Sequence, residues 1–281
     1  MSDTPDFLTR LPGRAVIAIT GPEARSFLER VISNGPAPQP GRAQFSSLLT
    51  PQGKLLADFI LFDAGEGGLL VDAPESEAQP LARRLTMYKL RSDAEIVLRE
   101  DLAVIAAAGP REGELETIAI AAAPDPRASA LGRRAIAPAG GPEDEIEAYH
   151  AARIAAGVAE FGPDYAANAV FSTDVNHDLM GGVDYKKGCF VGQEVASRMR
   201  RKGGVRKRTV RLSLAAAVEP GAPVTAGDTP LGEVTSWAGG VALARLRTDR
   251  ARSALDAGET ITAGGEQVRL IDDPETLAAT V

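Results

Sequence analysis

Residues 186–194 read KKGCFVGQE and hold Cys189, the single cysteine of a 281-residue chain. A thiolate is a strong nucleophile and a soft ligand, and nearby positive charge or the free amides of a helix start favour it. Lys186 and Lys187 supply the charge. Val191, Val195 and Met199 recur at i, i+4 and i+8, so the spacing predicts a helix from 191 with Cys189 just before its first turn. Gly188 and Gly192 permit a sharp turn or a close backbone approach to a bound group. Gln193 and Glu194 stand where they can orient a thiol or a ligand. Against this is the commonest use of a lone cysteine, a small buried hydrophobe. The residues alone leave both readings open.

Other chemistries find less support. Gly188-xxx-Gly192 is not the GxxxxGK[ST] of a phosphate loop, and no His–Asp pair suggests a papain-like site. The two histidines, His150 and His177, have no CxxC or HExxH companions, so an intrinsic metal or iron–sulfur cluster, which wants about four ligands, is not expected. One cysteine forms no internal disulfide, which fits a reducing compartment. With no signal-peptide pattern and no apolar run of the ~20 residues a bilayer span needs, a cytoplasmic protein without membrane association is expected.

The net charge of −7 is unevenly spread. Residues 184–211 hold ten Lys/Arg against Asp184 and Glu194, a window of +8 that leaves −15 elsewhere. Such a block steers anionic partners, although a solvated basic surface is the plainer reading. The stretch lacks aromatic stacking residues, which disfavours direct nucleic-acid binding.

Around this motif the pattern predicts a strand at 14–19, then a helix opened by a Thr20–Glu23 capping box with Ala24, Phe27, Leu28, Val31 and Ile32 on its apolar face. Residues 43–73 read as strands. A helix with Leu81, Leu85 and Tyr88 on one face follows, then strands at 94–100 and 102–108. Residues 109–142 read as short strands and loops. A helix is expected at 143–156, acidic in its first turn (Glu143, Asp144, Glu145) and capped by Gly157. Beyond a boundary near 204, short strands separated by turn residues suggest a small antiparallel barrel.

KGCFVGQE at 187–194 resembles the K-G-C-[FY]-x-G-Q-E signature of the YgfZ-type folate-binding family. LLTPQGKLLADFILF (48–62), YHAARIAAGV (149–158) and NHDLMGGVDYKKGC (176–189) resemble further family segments, and GEVTSWAGGVALARLR (232–247) resembles the C-terminal barrel shared with the glycine-cleavage T-protein. The resemblance implies an α+β fold of three parts. These are a folate-binding α/β domain at 1–45 and 142–203, an inserted ferredoxin-like α+β domain at 46–141, and a C-terminal antiparallel β-barrel at 204–281. It further implies tetrahydrofolate in a central channel and a role in assembling, maintaining or repairing iron–sulfur enzymes, with client enzymes or assembly proteins as partners. A tRNA methylthiotransferase would be such a client.

The alternative is a folate-dependent one-carbon, aminomethyl-type transferase with Asp58 as acid or base. In the iron–sulfur reading Cys189 is the functional thiol, supported by Lys187, Gly188, Phe190, Gly192, Gln193 and Glu194; folate contacts are expected from Arg153, Asn176, Asp58 and Arg198. The sequence departs from the resemblance at Ala155, where relatives carry a glutamate able to bond a pterin ring. A missing charge-assisted hydrogen bond there costs roughly 1.5–3 kcal/mol.

Overall fold

The computed structural model describes residues 5–141, 145–201 and 205–273. Strands β1 (Phe7–Arg10) and β2 (Arg14–Thr20) lead into helix α1 (Ala24–Glu29). Next come β3 (Gln44–Leu49), β4 (Leu55–Asp63), β5 (Leu69–Pro74), helix α2 (Glu75–Lys89), β6 (Glu95–Leu98) and β7 (Leu102–Ala108). A short α3 (Leu115–Ile118), β8 (Ala121–Pro124), β9 (Arg133–Pro138), α4 (Ile146–Ala155) and α5 (Gln193–Arg201) complete the first two thirds. The remainder is β10 (Lys207–Ser213), β11 (Pro223–Ala226), β12 (Thr229–Ala238), β13 (Val241–Arg247), α6 (Thr248–Asp256), β14 (Ile261–Ala263), β15 (Glu266–Gln267) and β16 (Arg269–Leu270).

These form three antiparallel sheets, in the orders β3-β4-β5-β2-β6, β1-β7-β9-β8 and β15-β14-β11-β12-β13-β10-β16. The five-stranded sheet is covered on both faces, which is why RAVIAIT and ADFILF are apolar almost without interruption. Alternate residues of a strand point to opposite faces. Ile17, Ile19, Phe59 and Leu61 therefore pack under α1 and α2, while Val16, Ala18, Ile60 and Phe62 meet the four-stranded sheet and Tyr149 of α4. The seven-stranded sheet curls into a nearly closed barrel around Val210, Leu231, Val234 and Leu246. The fold is α+β, as expected.

Three local expectations are corrected. Thr20 and Glu23 form no capping box; the Glu23 carboxylate instead accepts the Asp93 amide at 2.7 Å, tying the start of α1 to the turn after α2. Helix α5 starts at Gln193, two residues later than the spacing predicts. Helix α6 was not anticipated, because its short apolar face (Ala251, Ala254) lies among charged residues. Strand β2 pairs with β5 and β6, and β3 with β4. Of the acidic residues expected at the start of α4, Glu143 and Asp144 lie outside the described residues. Glu145 accepts the Leu8 amide at 2.6 Å and pairs with Arg111. Gly157, at φ +76°, follows α4 as a left-handed cap.

Candidate functional site

Cys189 is exposed, and the loop carrying it is fixed on every side. The Asp184 carboxylate accepts the amides of Lys186 (2.7 Å) and Lys187 (3.2 Å), an Asx-type turn that shapes the approach. Ahead of it, the Asp184 amide bonds the Ser33 carbonyl at 3.0 Å, and beyond the cysteine the Val191 amide reaches the Val31 carbonyl at 3.4 Å. Phe190 is buried beside Leu49, Leu55, Tyr165 and Ala196, at the junction of the five-stranded sheet, α5 and the barrel. The chain thus buries the neighbour and leaves the thiol outside. A structural cysteine would be arranged the other way round.

Gly192 explains how the loop turns back. It has φ +81°, and a Cβ there would lie 2.5 Å from the Thr50 carbonyl oxygen and 3.0 Å from Leu49 Cβ. No L side chain fits. Gly188 differs: it has no left-handed φ and nothing within 4 Å of an added Cβ, so the steric need expected there is absent. Lys187 is also redirected. Its ammonium bonds the Glu29 backbone carbonyl and lies 3.6 Å from the Glu29 carboxylate, so it anchors the loop to the end of α1. Burial, the largest cause, holds its pKa below the ordinary lysine value. Gln193 donates to the Lys187 carbonyl at 3.4 Å, closing the loop, while Glu194 and Arg198 lie exposed on α5. The basic segment is partly neutralised within the fold: Arg208 pairs with Asp178 and Arg211 with Asp272, and Arg200 stacks over Tyr185 at 4.5 Å.

Of the four expected folate contacts, Asp58, Arg153 and Asn176 fall in a buried polar interior between the sheets and the barrel, whereas Arg198 does not. Asp58 is 1% exposed; Oδ1 pairs with Arg14 (3.4 Å) and Oδ2 accepts from Tyr165 (2.9 Å). Both oxygens are therefore engaged, and proton exchange with a ligand needs one within reach. Arg153 is likewise committed, to Asp164 (2.6 Å), Ser236 (3.1 Å) and His150 (3.0 Å). Asn176 donates to the Thr209 carbonyl at 2.7 Å, but its Oδ1 is buried with no partner, as are Thr173 Oγ1 and Tyr185 Oη.

The network's centre was missed from the sequence. Arg134 bonds Asp72 (2.8 Å) and Tyr149 (2.9 Å), Tyr149 donates to Glu160 (2.8 Å), and Arg14 holds Asp72 from the other side at 2.6 Å. Burial alone would raise the Glu160 carboxyl, but the guanidiniums of Arg127, Arg134, Arg153 and Arg14 outweigh it and hold it at about 2. One signal was available: a single charge inside an apolar strand, such as Asp72 in LLVDA.

His177 closes the chain of bonds. Tyr165 spends its proton on Asp58, so at 3.1 Å it accepts from His177 Nε2–H, and Nδ1 accepts from Ser47 at 3.0 Å. Full burial pushes this imidazole down to about 4. The unfolded chain, with His near 6.5, binds a proton that the fold excludes. Stability is therefore complete above pH 6.5 and falls towards pH 4, by about 3 kcal/mol for this group. Urea unfolding at pH 7 and pH 5 checks this. His177→Gln should flatten the dependence, leaving the contribution of the partly buried His150; an unchanged slope contradicts the assignment.

Among the described residues no group of three or more His, Cys, Asp or Glu could hold a metal ion, and no helix is long and apolar enough to cross a membrane. The family model of the CAF17 C-terminal beta-barrel domain matches residues 206–275. The mitochondrial iron-sulfur cluster assembly factor IBA57 of Mus musculus is 30% identical over 282 residues, covering 88% of this chain and 79% of that protein. Its Homo sapiens counterpart is 29% identical over 280 residues, with the same coverage. The Neurospora crassa homologue is 30% identical over 250 residues, which span 79% of this chain but only 56% of the relative. Among solved structures, the glycine cleavage system aminomethyltransferase T of Bartonella henselae superposes with a TM-score of 0.74 at 17% identity, over 97% of this chain and 87% of that one. That likeness establishes the T-protein fold. The relatives' names place them in the mitochondrion, which overturns the cytoplasmic location expected from the sequence. By its sequence, the chain belongs to the IBA57 family of iron–sulfur cluster assembly factors.

Proposed function

We propose that this chain is an accessory factor for the assembly, maintenance or repair of [4Fe–4S] enzymes, acting through Cys189. The observation that carries the reading is an exposed thiol on a fully pinned loop, in a chain whose named relatives are assembly factors. A cluster wants about four thiolate ligands. One cysteine supplies at most one, so an assembly protein or client must bring the others. In a host lacking this chain, its expression should restore the activity of a [4Fe–4S] enzyme; no restoration by the wild type sinks the assembly reading.

Tetrahydrofolate is proposed as the ligand of the polar interior. The buried, unpartnered Asn176 Oδ1 and Thr173 Oγ1 suit the amino and ring N–H groups of a reduced pterin. The carboxylate missing at Ala155 weakens the fit. When bound, tetrahydrofolate supplies one-carbon carriage and reducing power; this chain's residues bind and orient it. Anaerobic calorimetry should show binding that Ala155→Glu strengthens about tenfold and Asn176→Ala weakens. No heat with either wild type or Ala155→Glu removes folate from the proposal. The three-part domain division remains part of this reading.

A further inference from the structure

The outer face of α2 takes no part in the site above. Residues 78–92 contain Arg83, Arg84, Lys89 and Arg91 and no acidic residue. Among the described residues no carboxylate pairs with Arg83, Arg84 or Arg91. Between these cations stand two apolar side chains one turn apart, Met87 at 64% and Leu90 at 85% exposure.

Leu90 is held in an unfavourable backbone conformation, φ +52° and ψ −106°, of a kind that costs on the order of 1–3 kcal/mol. The turn around it is pinned. The Ser92 amide bonds the Lys89 carbonyl at 2.8 Å, and Arg30 reaches the Ser92 hydroxyl at 3.3 Å. With the Glu23–Asp93 bond already described, the fold fixes an exposed leucine in place.

This turn and the cysteine loop share one support, the end of α1. Arg30 contacts Ser92, Glu29 holds Lys187, and Val31 receives the Val191 amide. Glu29, Arg30 and Arg91 are all exposed. A strip of surface therefore runs from Met87 and Leu90 through Arg91, Arg30 and Glu29 to Cys189.

We propose that this strip is the docking surface for a protein partner that presents acidic side chains around an apolar contact. The partner's reacting group would then lie over Cys189. The inference rests on the reading of Cys189 as the functional thiol. Charge complementarity selects the partner's chemistry: Arg83, Arg84 and Arg91 have no ion-pair partner among the described residues, the acidic residues of α2 (Glu75, Glu77) stand at its far end, and opposite charge speeds and orients docking. An anionic lipid surface fits less well, since the molecule carries −7 overall and Glu29 sits within the strip.

The test places the photocrosslinker p-benzoylphenylalanine at Met87, with the same replacement at exposed Leu255 on α6 as control. A bifunctional thiol reagent at Cys189 supplies the second arm. Both arms should capture one and the same protein in host cells, through an acidic peptide of that protein. Arg83→Glu, Arg84→Glu and Arg91→Glu together should lower capture about tenfold without shifting the melting temperature. Capture at Met87 no greater than at Leu255, capture unaffected by charge reversal, capture of a second copy, or charge-dependent sedimentation with phosphatidylglycerol vesicles would each overturn the proposal. Cell rescue separates the two layers. If the charge-reversed chain restores [4Fe–4S] enzyme activity and Cys189→Ala does not, the surface is wrong and the thiol reading stands. If both restore it, the thiol reading itself falls.

Discussion

Replacing Arg134 by methionine should destabilise the protein by about 3–5 kcal/mol, the usual cost of removing one partner from a buried ion pair. Arg134 is fully buried, bonds Asp72 and Tyr149, and lies 3.9 Å from both Asp125 and Glu160. Without it, Asp72 keeps only Arg14, and Glu160 loses one of the guanidiniums that hold it ionised in the interior. Methionine fills much of the volume, so the loss is mainly electrostatic. Urea denaturation of wild type, Arg134→Met, Asp72→Asn and the double variant measures it. The double variant should lose less than the two single losses added together, because an uncompensated charge causes most of each. Strict additivity, or a single loss below about 1 kcal/mol, would mean that the network tolerates an unpaired carboxylate.

Gly192→Ala should cost about 2–4 kcal/mol, from a disfavoured φ together with a Cβ driven into the Thr50 carbonyl. Gly188→Ala, only four residues away, should change stability by less than about 0.5 kcal/mol. The contrast separates a loop built around one obligatory glycine from one that is merely glycine-rich. Thermal denaturation of the two variants decides it, and equal effects would contradict the assigned backbone geometry. Because Phe190 and Gly192 together set where the loop leaves the core, Gly192→Ala should also change the rate at which Cys189 reacts with a thiol reagent.

Much of this architecture was legible in the sequence because burial leaves a period. RAVIAIT, LLADFILFD and the leucines of α2 announced their elements, and the KGCFVGQE motif announced the loop. The polar network did not announce itself. Asp58, Asp72, Arg134 and Glu160 come from separate elements, and their pairing exists only once two sheets and α4 enclose them. Asp58 looked available for proton transfer until Arg14 and Tyr165, residues remote in sequence, were found on its two oxygens. Lys187 looked like a partner for the thiol alone, but its ammonium also bonds the end of α1, and Cys189 acts on it more weakly than Glu29 or Asp184. A composition window counts charges; it does not show which of them the fold has already paired.

The thiol that this loop presents carries the proposed function. The most direct measurement is the activity of a [4Fe–4S] enzyme in cells lacking this chain, complemented by wild type or by Cys189→Ala at matched levels and matched melting temperature. Cys189 is exposed and Phe190 supplies the anchor, so the alanine variant should fold as the wild type does. It should nevertheless leave the enzyme's activity at the level of the uncomplemented cells. Full restoration by Cys189→Ala would contradict the account, and the pinned loop would then serve only to join α5 to the five-stranded sheet.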